Sequence, residues 1–171
     1  CALITDQKIL GFYAKKHLAK DGVHYEPRWF TSWTNGAQSI TIDQTKYPIG
    51  NIIFNIKQTK IGIEICEDSW KDKAFEQQVD VILNPSASHF AFEKTEQRIN
   101  LVKERSAKYN CSYVYSNLLG NESGRMIYDG ELLIANKGTL TCRSRLLKFN
   151  PVNVVSEQDN IAPVEPKNEL F

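Results

Sequence analysis

The sequence has 171 residues, with 21 Lys+Arg against 20 Asp+Glu and a net charge of +1 when histidines are neutral. Apolar residues make up 42% and charged residues 24%, close to globular averages, so a packed core is available and collagen-like, supercharged and largely disordered classes are excluded. Charge is balanced without blocks of one sign, no 18-residue apolar run occurs, and no basic-then-apolar leader opens the chain; nucleic acid, membrane span and secretion are all poor readings, and a cytoplasmic domain is expected.

The first stretch, Cys1 to Tyr13, is two apolar runs around the polar turn Asp6-Gln7. It predicts a hairpin entered without lead-in, as in the middle of a domain. Further on, Ile52 to Ile56 and Lys60 to Cys66 are β-rich runs separated by a short polar turn. In the second, Ile61, Ile63 and Ile65 share one face at period two, with Glu64 and Cys66 on the other. Ser69-Trp70-Lys71-Asp72 then has the Ser-x-x-Asp form of a helix start, and Trp70, Ala74 and Phe75 offer an apolar stripe. Val81 to Leu83 reads as a buried strand. A long helix is expected from about Glu93 to Asn110, with Ile99, Val102 and Tyr109 inward and Lys103, Glu104 and Lys108 mostly outward. Cys111 to Ser116 is another strand, followed by short β segments at Met126 to Tyr128, Leu132 to Ala135 and Leu140 to Arg143, punctuated by glycines. From Pro151 the chain turns Pro-rich and polar and reads as a linker. Strand and helix alternating, then hairpins, predict a layered α/β fold with mixed sheets.

Chemistry concentrates at Ile61-Gly62-Ile63-Glu64-Ile65-Cys66-Glu67-Asp68-Ser69-Trp70, read as a buried strand that ends at a cysteine immediately before a helix. Such a junction displays its residue at the sheet edge and can aim backbone N–H groups at an oxyanion. Cys66 is thereby a candidate nucleophile; its other reading is a small buried hydrophobe. Glu64, Glu67 and Asp68 crowd it with negative charge, which disfavours the thiolate, so a reactive Cys66 needs a cation from elsewhere. Lys15 or Lys16 is the candidate donor. The four cysteines, at 1, 66, 111 and 142, include no Cys-x-x-Cys pair and suggest neither a zinc site nor a disulfide framework. His17, His24 and His89 are not spaced as a Cys–His dyad, and Trp29, Phe30 and Trp33 read as packing.

Tyr13-Ala14-Lys15-Lys16-His17-Leu18 and Cys66-Glu67-Asp68-Ser69-Trp70 resemble the lysine and nucleophile motifs of the nitrilase (carbon-nitrogen hydrolase) superfamily. Asp21 to Phe30, Asn84-Pro85-Ser86-Ala87-Ser88 and Asn121 to Gly130 are similar, more narrowly, to the glutaminase domain of glutamine-dependent NAD synthetases. The resemblance implies part of a four-layer α-β-β-α sandwich over residues 1–150, with 151–171 leading toward a synthetase domain not in this sequence. It implies Cys66 as nucleophile on the side-chain amide of L-glutamine through a thioester. Lys15 would stabilise the oxyanion together with the N–H of Glu67, and Glu26 would position the lysine and substrate. Trp70 would wall the pocket, and Ser88 and Lys94 would hold the amino and carboxylate ends of glutamine. Ammonia would pass to the ATP-dependent amidation of deamido-NAD, with ATP and Mg2+ belonging to the other domain, no metal and no cofactor in this chain, and a homo-oligomer as usual in the superfamily. The family's general base is a glutamate N-terminal to the lysine motif. Residues 1–14 hold only Asp6, so the sequence is expected to be a fragment. Three alternatives stay open: a stand-alone nitrilase-type amidase or carbamoylase, an N-terminal-nucleophile enzyme using Cys1, and a non-catalytic assembly domain.

Overall fold

A computed structural model describes residues 1–20, 24–71, 77–122, 124 and 126–150. The linker reading of 151–171, the stripe at Ala74 and Phe75, and the first residues of the Asp21 to Phe30 motif lie outside these. The chain divides into two compact units, Cys1–Asp80 and Val81–Phe171.

In the first unit, β1 (Ala2–Thr5) and β2 (Lys8–Tyr13) form the expected hairpin. Its turn residues Asp6 and Gln7 both have positive φ, 48° and 61°, the conformation that lets a two-residue turn follow the strand twist. β2 runs parallel to β4 (Thr45–Gly50), and β3 (Gln38–Ile42) pairs antiparallel with β4, giving the order β1-β2-β4-β3. The β3/β4 hairpin was not among the expected elements, although Ile40 and Ile42 alternate along β3 and Tyr47 and Ile49 along β4; both strands are exposed along most of their length. β5 (Phe54–Ile56) and β6 (Thr59–Ile63) are the second hairpin. Tyr13, Phe54 and Ile63 form a buried cluster to which Leu3, Leu10, Ile52, Ile61 and Ile65 add. The isoleucine face of β6 therefore seats this strand on the end of β2, at roughly 1.5–3 kcal/mol for each side chain fully buried. Glycine is required at the end of β4, where a Cβ on Gly50 (φ 140°) would collide with the carbonyl oxygen of Gly36. The Gly50 carbonyl in turn receives the Ala14 N–H at 3.1 Å, fixing the backbone one residue before Lys15.

Two expectations in this unit need correction. The helix forecast from Ser69 is instead one 3-10 turn, Cys66–Trp70, and Lys71 is already extended. The Ser69 hydroxyl, read as a cap facing forward, donates backward to the Cys66 carbonyl at 2.7 Å, and Asp68 takes the capping role from inside the turn. The Trp29 and Phe30 side chains, expected to pack, are 72% and 66% exposed. Trp29 ends α1 (Glu26–Trp29), a single turn with no buried residue, Phe30 follows it, and Arg28 lies over the Trp29 ring at 5.2 Å.

The second unit agrees with the forecast more closely. β7 (Val81–Ser86), α2 (Lys94–Tyr109) and β8 (Ser112–Asn117) make a strand-helix-strand crossover, with β7 and β8 parallel in register from Val81 opposite Ser112 to Ser86 opposite Asn117. β11 (Leu132–Asn136) pairs antiparallel with β8, and β12 (Thr139–Arg143) with β11. β9 (Leu119–Glu122) and β10 (Met126–Asp129) form a separate hairpin. α2 lies across β8, β11 and β12; it buries Val102 as expected and also Leu101, while Ile99 and Tyr109, expected inward, are only half-buried. Its buried face also carries Arg98 and Arg105. No described helix is long and apolar enough to cross a membrane.

Candidate active site

Cys66 sits where β6 has ended and the 3-10 turn begins, with φ at 47°. For a residue with a side chain that left-handed backbone costs roughly 1–2 kcal/mol, so the surrounding bonds must hold it there. Asp68 N–H donates to the Ile65 carbonyl at 3.1 Å, while Ile65 N–H donates to Asp68 Oδ2 at 3.1 Å. The turn thus presents a half-buried thiol on a strained elbow, a geometry associated with functional sites.

The carboxylates around Cys66 are engaged. Glu67 pairs with Lys71 Nζ at 2.9 Å. Asp68, 3% exposed, accepts the Tyr13 hydroxyl at 2.9 Å, Lys16 N–H at 3.2 Å, His17 N–H at 2.8 Å and the Ile65 N–H. Glu64 is fully buried. The three carboxylates that crowd Cys66 along the chain are thus one member of an ion pair, one carboxylate accepting four donors and one in the interior.

Lys15 is the member of the Lys15-Lys16 pair that acquires a part-buried charge partner. Its Nζ meets both carboxylate oxygens of Glu26 at 2.6 Å, with side-chain exposures of 12% and 32%. Glu26 Oε2 also accepts the Ala19 N–H at 2.7 Å. Glu26 starts α1 and Pro27 comes next in the first turn, so the reading of Glu26 as a helix-start carboxylate and its reading as a partner of the lysine are both realised. Trp70 closes the 3-10 turn and is 45% exposed. A cavity of about 400 Å³ lies beside these elements, lined by Lys16, His17, Leu18, Lys20, Ser32, Glu67 and Lys71. Of the nominated residues it includes Glu67 alone; Cys66, Lys15 and Trp70 are not in its wall.

In the second unit, Ser88 and Lys94 flank one loop after β7. Ser88 N–H donates to Asn117 Oδ1 at 2.8 Å, and the Ser88 carbonyl accepts from Asn117 Nδ2 at 2.8 Å and from Arg98 Nη2 at 3.1 Å. The Asn117 side chain thus pairs with the Ser88 backbone as a neighbouring strand would. Lys94 begins α2, with Nζ 3.3 Å from both ring nitrogens of His89. Arg98 reaches further, donating to the His89 carbonyl at 3.1 Å, to Asp129 Oδ2 at 2.5 Å and to Glu131 Oε2 at 3.1 Å; Arg143 Nε donates to Glu131 at 3.0 Å. Burial pushes the Glu131 carboxyl above its usual range, and the two guanidinium groups offset only part of that push.

Arg98, Asn117 and Asp129 were missed in the sequence, and Asp68 was seen only as a nearby charge. Arg98 did leave a signal: it lies three and four residues before Leu101 and Val102, hence on the inward stripe of the forecast helix, where a charge needs a partner. None of the four cysteines forms a disulfide, and Cys111 and Cys142 are buried. The Cys1 α-amine donates to the Tyr13 carbonyl at 2.8 Å and Ala2 already begins β1, so no glycine-containing turn comes after Cys1. Among the described residues no group of three or more His, Cys, Asp or Glu is placed to hold a metal.

No protein-family profile matches the chain. The glutamine-dependent NAD(+) synthetase of Mus musculus is 30% identical over 169 residues, 90% of this chain and 23% of that protein. A crystal structure of a glutamine-dependent NAD(+) synthetase from Cytophaga hutchinsonii superposes with a TM-score of 0.83 at 48% identity, covering 91% of this chain and 26% of the other. This chain is a homologue of one segment of the glutamine-dependent NAD synthetases. Its fold is that of the carbon-nitrogen hydrolases, as the Helicobacter pylori G27 member shows with a TM-score of 0.61 at 21% identity over 82% of this chain and 49% of that one. The chain spans about a quarter of the length of the synthetase relatives it matches.

Proposed function

We propose that the chain carries nucleophile and oxyanion-stabilising groups of a glutaminase site that supplies ammonia for amidation of deamido-NAD. The observation that carries this reading is Cys66 held at φ 47° between β6 and a 3-10 turn, in the same unit as a lysine clamped by both oxygens of a glutamate. The thiol of Cys66 loses its proton to a carboxylate base and attacks the side-chain amide carbon of glutamine. Lys15 and the N–H of Glu67 face the negative charge that develops on the amide oxygen. The tetrahedral intermediate collapses with cleavage of the C–N bond, the base returns the proton to nitrogen, and ammonia leaves. Water then adds to the thioester, giving glutamate and restoring the thiol. Glu26 keeps Lys15 aimed and, holding it with both oxygens, is not placed to serve as the base. That role falls, by resemblance, to a glutamate outside residues 1–171. Ser88 and Lys94 take the amino and carboxylate ends of glutamine, for which the Lys94 ammonium is a suitable point charge.

The amidation half requires ATP. The Ser-Gly-Gly-x-Asp-Ser loop expected to hold its phosphates does not occur in this sequence, and glutamine hydrolysis runs through neither ATP nor Mg2+. The test is Cys66→Ala in the intact protein. Glutamine-dependent NAD synthesis is expected to be abolished while added ammonia still supports it; equal loss with both nitrogen sources, or loss with neither, refutes the glutaminase reading.

A further inference from the structure

Lys15 and Cys66 come from positions 51 residues apart, and no bond between their side chains fixes one to the other. Among the described residues, one carboxylate hydrogen-bonds to the backbone of both segments. Asp68 Oδ1 accepts the N–H groups of Lys16 and His17, the two residues after Lys15, at 3.2 and 2.8 Å. Oδ2 accepts the N–H of Ile65, the residue before Cys66, at 3.1 Å, and the hydroxyl of Tyr13, two residues before Lys15, at 2.9 Å. Every donor is bracketed around one of the two candidate reactive residues. The carboxylate is 3% exposed, and among the described residues no cation pairs with it. Its negative charge is balanced by four N–H and O–H dipoles, the arrangement in which a buried carboxylate is satisfied while fixing several backbone positions at once.

We propose that Asp68 is the positioning residue of this site, joining the Lys15 segment to the Cys66 elbow so that oxyanion donor and nucleophile keep their separation. The proposal rests on the glutaminase reading only for the reaction in which it is measured. Asparagine tests it by chemistry more than by size. With its amide oxygen toward Lys16 and His17, its NH2 faces the Ile65 N–H; turned over, its NH2 faces the other two. Either orientation leaves one segment untied, because donor meets donor.

In the intact protein, Asp68→Asn is expected to lower kcat for glutamine hydrolysis about 100-fold, the scale of a misplacement of roughly 1 Å at a reacting group. KM for glutamine should stay within about threefold, since Ser88 and Lys94 are untouched. Iodoacetamide should alkylate Cys66 at a rate changed at least tenfold. Tyr13→Phe removes one of the four donors and leaves both backbone ties; it should give a smaller kcat loss, about three- to tenfold, with KM again unmoved. A wild-type kcat in Asp68→Asn overturns the proposal, as does a loss shared equally between kcat and KM. If Asp68→Asn does not fold, a wild-type kcat in Tyr13→Phe overturns it. Should Cys66→Ala show that the glutaminase reading is wrong, the alkylation rate decides alone: unchanged labelling of Cys66 in Asp68→Asn refutes the positioning role.

Discussion

Replacing Arg98 with methionine should loosen the second unit more than any surface substitution. The guanidinium is 1% exposed and meets Asp129 at 2.5 Å, Glu131 at 3.1 Å and the carbonyls of Ser88 and His89, each at 3.1 Å. Without it, Asp129 keeps the Asn117 amide at 2.7 Å and the Glu131 N–H at 3.1 Å, Glu131 keeps Arg143, and Ser88 keeps Asn117. The cluster passes from two cations and two anions to one and two, all with side chains 1% exposed or less. Breaking a buried pair from one side costs about 3–5 kcal/mol. The surviving hydrogen bonds argue for the lower half of that range and the lost bond to the His89 carbonyl adds back roughly 1 kcal/mol, so about 4 kcal/mol is expected. At about 1.4 kcal/mol per tenfold, this is close to a thousandfold. Hydrogen exchange of the intact protein, monitored by mass spectrometry on peptides spanning 84–92 and 117–132, measures it directly, because the amides of Asn117, Leu118 and Gly130 are bonded within this region. Adding Asp129→Asn to Arg98→Met restores charge balance and should slow exchange at least tenfold relative to the single variant. Exchange within tenfold of wild type in Arg98→Met would refute the reasoning: the desolvation penalty of the cluster would then equal the stabilisation that its pairing returns.

The same geometry sets two more outcomes. Glu26→Gln retains an acceptor for the Ala19 N–H but removes the charge that clamps Lys15; kcat for glutamine hydrolysis should fall 10- to 100-fold by roughly the loss of one aligned charge, while thermal unfolding shifts by less than the equivalent of about 1 kcal/mol because the Glu26 side chain is 32% exposed. Glu131 should give stability a pH dependence of unusual sign for a carboxylate. Its folded value is raised above the ordinary 4.5, so between 4.5 and the folded value the native state holds a proton that the unfolded chain has released, and this contribution falls as pH rises through that window. Urea unfolding of the second-unit signal between pH 4 and 7 should show that slope in wild type and lose it in Glu131→Gln; an identical slope in both would assign it elsewhere.

Local pattern accounts for much of the legible structure. The β1/β2 hairpin comes from two apolar runs around Asp6-Gln7, and β7, α2 and β8 come from periods of two and near 3.6 that neighbouring side chains write into the sequence. Cys66 stood out because a strand that ends on a thiol before a turn is a local event. Lys15 was nominated only through a segment that resembles the carbon-nitrogen hydrolases, and Glu26 only through one that resembles the glutaminase domain of NAD synthetases, since an exposed lysine and a helix-start glutamate are the ordinary reading of each alone. The helix start forecast at Ser69 is not formed there: Lys71 is extended, and the serine hydroxyl donates back to the Cys66 carbonyl, where it cannot cap a helix running forward from it.

The sequence by itself determined the β1/β2 and β5/β6 hairpins, the β7, α2 and β8 crossover, and the cysteine and lysine that merit attention. Tertiary structure alone decided that Asp68, read along the chain as a charge hostile to a thiolate, uses both oxygens to tie residues 13, 16, 17 and 65 together. It alone decided that Arg98 sits between Ser88 and Asp129. The physical reason is common to both. A polar side chain reveals its role through partners, and partners such as Asp129 of Arg98 and Tyr13 of Asp68, 31 and 55 positions away, leave no periodicity for the sequence to display.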